Sequence, residues 1–498
     1  MAKNIMFQGT GSSVGKSLIT AAVGRILNDR GYRVYPFKSQ NMALNSYITD
    51  EGFEMGRAQV VQAEAARVKP EVAMNPILLK PTSDIGSQVI LMGKVYANLD
   101  ASNYMALKQE FRPEIMKAYN KLAEKADYIL IEGAGSPAEI NLKQNDIVNM
   151  GMAEMVDAPV ILIGDIDRGG VFASLYGTYM LLDEAEKKRV KGFIINKFRG
   201  KKEILDPGIK MLEDLIPIPC LGVIPYGSYQ IDDEDSVTDR FTKKADGLIR
   251  IGVVKLPYIS NFTDFTPLEM ETSVSLNYIT HKDDISDLDV LIIPGSKNTL
   301  KDMQYVHESG LDQKIYRFAR DKKRIIGICG GFQILGEKIE DNQNVESKID
   351  SINGLGLLKT RTHMKPLKTT RNLIGTLLED GIMSLAGTKV SGYEIHMGET
   401  EILGEEKAFA KLSDGRDDGA ISVDGKIIGT YLHGIFENDE FRKILLRELL
   451  SEKKLSCEME SLSYSEMKDR EYDKLAESVA NSLDIDRLIA IMETRDDY

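Results

Sequence analysis

Cysteine is scarce. The three cysteines, Cys220, Cys329 and Cys457, are odd in number and far apart in a chain of 498 residues. That excludes a disulfide framework and a cysteine metal cluster, and it fits a reducing compartment. Long apolar runs are missing too: no stretch approaches the roughly 20 apolar residues of a membrane-spanning helix. Nor is there an excess of positive charge. The net charge of −13 argues against a nucleic-acid or membrane-surface binder, while leaving room for a locally basic site for an anionic substrate. The first residues run into a strand-like segment and a loop without a leader pattern, so a cytoplasmic protein is expected.

What is present suffices for more than one core. With 43% hydrophobic and 28% charged residues, a chain of this length implies two or three domains. Short apolar runs at 4–7, 128–131, 160–163 and 192–195 read as buried strands. Helical patterns at 17–29 and 173–182 follow the first and third. This alternation predicts a mostly parallel α/β sheet covered on both faces. The stretch 230–239 (QIDDEDSVTD) is acidic and aperiodic and reads as a surface linker. Strand-like runs resume at 249–255, 290–293 and 325–328. The chain is thus expected to divide into a first domain over 1–228, an acidic linker over 229–247, a second α/β domain over 248–445 and a helical tail over 446–498.

The string GTGSSVGKS at 9–17 follows a strand and opens a helix, as a phosphate-binding loop requires. Backbone N–H groups around Thr10, Gly11, Ser12 and Gly15 would cradle phosphates, Lys16 would neutralise them, and the Ser17 hydroxyl would ligate Mg²⁺. The usual pattern has glycine where this chain has Thr10; such loops occur in dethiobiotin-synthetase-like proteins. Partitioning-type ATPases carry a signature lysine where this chain has Gly11, which speaks against that class. Glu132 ends the apolar run YILIE, and a carboxylate at a strand's end beside the loop is a candidate Mg²⁺ ligand. Asn196 follows another strand, where this fold commonly reads adenine.

A second constellation surrounds Cys329. In IIGICGGFQILG at 325–336 the cysteine stands at a strand-to-helix turn among glycines. That arrangement lets a nucleophile take a strained turn, with Gly330 N–H facing a developing oxyanion. Upstream, LDVLIIPGSKN ends a strand in Pro-Gly, where Gly295 is placed to support the same oxyanion. Downstream, GTYLHGIF delivers His433 after another strand, a placement that none of the other four histidines has. Cysteine, Pro-Gly loop and late histidine together look like a class I glutaminase. That family normally has an acid two residues after the histidine; here the position is Ile435. Glu437 is a possible substitute, and a Cys–His dyad is the preferred reading. His396, in YEIHMG, is assigned to structure or to the glutamine pocket.

Beyond these motifs, KSQNM at 38–42, GRAQ at 56–59, NPILLKP at 75–81, EGAGSPAEIN at 132–141, DIDRGGVF at 165–172 and NKFRG at 196–200 occur in order. On these strings the chain resembles the cobyric acid synthases, a cobalamin-pathway family, over nearly its whole length. The resemblance implies a dethiobiotin-synthetase-like ligase domain joined to a class I glutamine amidotransferase domain. It also implies amidation of the b, d, e and g carboxylates of adenosylcobyrinic acid a,c-diamide. ATP, Mg²⁺ and glutamine would be consumed or required, with no prosthetic group. Lys38, Lys80, Arg168 and Arg199 become candidates for holding the polyacidic corrinoid. Two alternatives stand beside it. One is the a,c-diamide synthase acting earlier in the pathway, which the strings at 38–42 and 165–172 disfavour. The other is a non-catalytic P-loop switch with a relic glutaminase, which an intact Cys329 and His433 disfavour.

Overall fold

The computed structural model describes residues 2–81, 86–232, 247–378, 385–456 and 462–494. Two compact units result, and they are not consecutive stretches of chain. The first comprises Met1–Ala43, Glu54–Asp232 and Lys468–Tyr498; the second comprises Leu44–Phe53 and Asp233–Met467. Most of the expected acidic linker, residues 233–246, lies outside the described residues, as does Cys457.

In the first unit the central sheet is parallel. Its spatial order is Cys220–Pro225, Val190–Phe198, Val160–Asp165, Lys3–Gly9, Tyr128–Glu132 and Val34–Phe37. Its strands read as apolar runs because both faces are covered: Ile5, Phe7, Ile161 and Ile163 are fully buried. Lys3–Gly9 lies between the strands on either side of a topological switch, so the crevice beyond its carboxyl end is where such sheets bind ligands. The register sets Glu132 beside Phe7 and Asn196 beside Asp165. The last helices belong to this unit as well. Tyr472, Leu475, Val479, Leu488 and Met492 join its core, and the buried Arg25 guanidinium pairs with Asp469 and, at 2.9 Å, Asp473. The Arg25 side chain is buried, and two carboxylates that keep about half of their surface in water compensate its charge.

The second unit has a sheet ordered Val274–Ile279, Ile249–Val254, Val290–Ile293, Arg324–Ile328, Ile427–Thr430 and Ala420–Ile421. All pairs are parallel except the edge pair Ala420–Ile421 with Ile427–Thr430. Three adjacent strands therefore end side by side in the segments carrying Gly295, Cys329 and His433. Against this sheet stands an antiparallel pair, Thr360–Leu377 with Lys389–Ile402. Both units have the α/β character expected from the apolar runs. Among the described residues no helix is long and apolar enough to cross a membrane.

Candidate active sites

The phosphate loop leads from the strand Lys3–Gly9 into the helix Lys16–Asp29. Gly15, at φ 99°, enters the helix in a conformation that side chains resist. The missing glycine at position 10 has a local reason. Thr10 N–H continues the strand by donating to Ile163 O at 2.9 Å. The close approach falls one residue earlier, where a Cβ on Gly9 would lie 2.6 Å from Val14 Cγ2 and 2.9 Å from Lys16 Nζ.

Lys16, Ser17, Glu132 and Lys38 gather around this loop. Lys16 Nζ donates to Gly11 O and Gly135 O, each at 3.1 Å. Ser17 Oγ and Lys38 Nζ both donate to Glu132 Oε1 at 2.9 Å, and Gln62 Nε2 donates to Oε2. A hydroxyl and a carboxylate so close form a hard-oxygen pair suited to Mg²⁺, a cation that takes few protein ligands and relies on phosphate oxygens for others. Among the described residues no group of three or more His, Cys, Asp or Glu side chains is arranged to hold a metal ion. Asn196 sits against the loop, donating through Nδ2 to Val14 O at 2.8 Å. Lys197 reaches Ser13 O at 2.7 Å and Asp165 at 2.8 Å. The four basic candidates separate into two kinds. Lys38 pairs with Glu132 and Lys80 with Glu54 in buried ion pairs. Arg168 (73% exposed) approaches Asp165 at 4.0 Å; Arg199 (58% exposed) pairs with Asp167 and lies 3.4 Å over the Tyr226 ring.

The second site is built on strain. Cys329, at φ 52° and ψ −107°, links the strand Arg324–Ile328 to the helix Gly330–Leu335, a positive φ that a non-glycine residue holds only when its surroundings enforce it. The glycines after it are required by close packing: a Cβ on Gly331 would overlap Ile293 O, and one on Gly330 would lie 2.8 Å from Ser296 N. The Pro-Gly-Ser turn is thus pressed onto the elbow. The amide that comes up to Gly330 is that of Ser296, whereas Gly295 packs against His433 Cε1 and Ser260 O. Ser296 is propped in turn by Asp302, whose Oδ2 accepts from Ser296 Oγ at 2.5 Å and Oδ1 from Tyr258 N at 3.0 Å. Burial pushes the Asp302 carboxyl up to about 7, against both hydrogen bonds.

His433 is fully enclosed. Its Nδ1 lies 2.7 Å from Asp264 Oδ2, and Asp264 Oδ1 accepts from Gly434 N at 3.0 Å. Burial would drive a proton off this ring. Asp264 and the neighbouring Cys329 outweigh it, and the imidazole is pushed up to about 10. The structure therefore supplies a third acid where the dyad reading had none. Position 435 is an isoleucine and Glu437 is not the partner of Nδ1; the acid comes from the short helix Phe262–Phe265, far upstream. In the sequence it is an acid ten residues beyond the strand Ile249–Val254, without a motif of its own. Tyr393 stacks on the His433 ring, with centroids 5.2 Å apart and planes at 16°. His396 belongs to the wall beside Cys329. It stacks on Tyr431 at 3.9 Å and donates through Nδ1 to Gly398 O at 2.7 Å; Tyr431 Oη accepts from Gln333 Nε2, in the helix after the cysteine. Chemically the arrangement offers a strained thiol, an imidazole held in one orientation by a carboxylate, and backbone amides gathered at a helix start.

Residues 5–234 match the CobQ/CobB/MinD/ParA nucleotide binding domain family, and residues 250–441 match the CobB/CobQ-like glutamine amidotransferase domain family. The chain is 53% identical to the cobyric acid synthase of Caldanaerobacter subterraneus subsp. tengcongensis over 99% of both chains. It is also 53% identical to that of Clostridium botulinum (strain Kyoto / Type A2), again over 99% of each. Among solved structures, PurLQS from Thermotoga maritima aligns with 41% of this chain and 99% of its own, at 18% identity and a TM-score of 0.33.

Proposed function

The chain belongs to the cobyric acid synthase family, and from that premise we propose that it amidates the b, d, e and g carboxylates of adenosylcobyrinic acid a,c-diamide with nitrogen from glutamine, driven by ATP. It is a glutamine-dependent amide-forming ligase. One observation supports coupling ATP to glutamine in this reading: a single chain holds a phosphate loop with Ser17 on Glu132 and an elbow cysteine with a His433–Asp264 partner. A cytoplasmic setting, expected from the scarce cysteines, is part of the proposal.

In the glutaminase half, Cys329 Sγ attacks the glutamine amide carbon. Amides of Gly330 and of the Gly295–Ser296 turn receive the oxyanion. The C–N bond breaks as His433 gives its proton to the departing ammonia, leaving a thioester. Water, deprotonated by His433, then releases glutamate. Asp264 keeps the proton-bearing Nδ1 turned toward itself, so that Nε2 serves the thiol and the leaving group.

In the ligase half, a carboxylate is a poor electrophile until a phosphoryl group makes it an acyl phosphate. Lys16 and the loop amides hold the phosphoryl oxygens. Ser17 and Glu132 would hold Mg²⁺, which when bound neutralises charge on the transferring group. Lys38, committed to Glu132, supports that acid. Arg168 and Arg199, the exposed pair, remain the candidates for meeting the acidic corrinoid.

The test is mass spectrometry of adenosylcobyrinic acid a,c-diamide after incubation with the protein, ATP and glutamine. Amidation at b, d, e and g is expected. Reaction only on cobyrinic acid, at a and c, would make the a,c-diamide synthase the correct reading, and no amidation of either would favour the switch.

A further inference from the structure

Leu44–Phe53 lies in the amino-terminal part of the sequence but packs in the second unit. Its contacts converge on the supports of the His433–Asp264 pair. Asn45, fully buried, accepts through Oδ1 from Phe262 N at 3.1 Å, in the short helix that carries Asp264. Ser46 N donates to Asn261 Oδ1 at 3.4 Å, and Ser46 O accepts from Tyr393 Oη at 3.3 Å. The same phenol accepts from Asn261 Nδ2 at 3.1 Å. Asn261 stands at φ 51° at the start of that helix, and Asp264 N donates to its carbonyl at 3.0 Å.

Tyr393, for its part, touches His433 twice. Its ring lies against the imidazole, and the two backbones exchange hydrogen bonds at 3.2 and 2.9 Å. Farther along, Ile48 packs with Tyr393 and Ile395, and Asn372 Nδ2 donates to Ile48 O and Thr49 O. The segment is thus fastened at several points. Covalently it continues at both ends into the first unit, where Lys38 pairs with Glu132 and Arg57 with Asp232.

We propose that Leu44–Phe53 is a positioning strap for the glutaminase site: Asn45 and the Ser46 backbone hold Asn261 and Tyr393, and through them fix Asp264 and His433 relative to Cys329. The inference rests on reading those three residues as the glutaminase site. Asn45 and Tyr393 act through Asp264 and His433; they are positioning residues.

Tyr393→Phe keeps the ring on His433 and removes the hydroxyl that ties it to Ser46 and Asn261; Asn45→Ala removes the tie to Phe262. In each variant kcat for glutamine-dependent amidation should fall about ten- to a hundredfold, the range for a small misplacement of a catalytic group. KM for glutamine should stay within about twofold, and amidation from ammonium salts should be unchanged. The double variant should be little worse than either single one, since both release one device. Unchanged ammonia-dependent activity shows that the protein is folded. Retention of the glutamine-dependent rate in either variant, or an equal loss of the ammonia-dependent rate, overturns the strap. Cys329→Ala separates the two readings. If it keeps glutamine-dependent amidation, the glutaminase assignment itself fails; if it alone is inactive, only the strap falls.

Discussion

Asp264 Oδ2 and His433 Nδ1 lie 2.7 Å apart although 169 residues separate them in the chain. Asp264 spends its other oxygen on Gly434 N, so one carboxylate fixes both the ring and the backbone beside it. Such a carboxylate sets the tautomer of the imidazole and supports its charged form.

Asp264→Asn should therefore lower glutamine-dependent amidation by at least about a hundredfold, a conservative floor beside the roughly ten-thousandfold loss when a triad carboxylate is neutralised. Amidation from ammonium salts should persist. Glu437→Gln, which leaves the Nδ1 partner in place, should be nearly silent on both. Parallel rate measurements with the two nitrogen sources decide it, and the reverse pattern would restore Glu437 as the acid.

The pH behaviour of His433 follows with a definite sign. Burial works against the proton, but Asp264 and Cys329 raise the folded value to about 10, above the ordinary 6.5. The stability this contributes is fully present below about 6.5 and lost as pH rises through about 10. With five histidines in the chain, ¹⁵N-histidine NMR can follow the ring. It should stay doubly protonated past pH 8 in the wild type and titrate lower in Asp264→Asn. Titration near 6.5 in the wild type would contradict the assignment.

Lys16 serves phosphoryl transfer in this reading, whereas Cys329 serves only glutamine. Lys16→Ala should abolish amidation from either nitrogen source, by at least about a hundredfold, while Cys329→Ala spares the ammonia-dependent reaction. Near-normal turnover of Lys16→Ala would refute the role of the loop.

Asp302 makes a prediction about stability. Its carboxyl is pushed by burial to about 7 from 3.8, so between those values the folded state holds more protons than the unfolded one. Stability falls as pH rises across that window. Asp302→Asn removes the titration. Relative to this variant, the wild type should lose roughly 1–3 kcal/mol on going from pH 5 to pH 8, measured by urea unfolding at each pH. A difference that does not change with pH would show that Asp302 stays ionised in the fold.

The local elements were legible in the residues themselves. Apolar runs such as 160–163 became buried parallel strands because a strand covered on both faces must be apolar throughout. The loop at Gly15 and Lys16 and the elbow at Cys329 were legible because strained backbone leaves glycine at fixed offsets. Tertiary structure decided what has no local signature. Asp264 stands in a short helix whose sequence carries no motif, and only the packing of that helix beside Gly434 makes it a partner of His433. Lys38 and Lys80, candidates in the sequence for holding the acidic corrinoid, are buried against Glu132 and Glu54; a charge reveals its partner only when the chain between them has folded. Leu44–Phe53 and the last helices each pack away from their neighbours in sequence. Their membership is settled by contacts, such as Asn45 with Phe262 and Arg25 with Asp473, whose energies depend on distance in space, which composition and periodicity along the chain do not record.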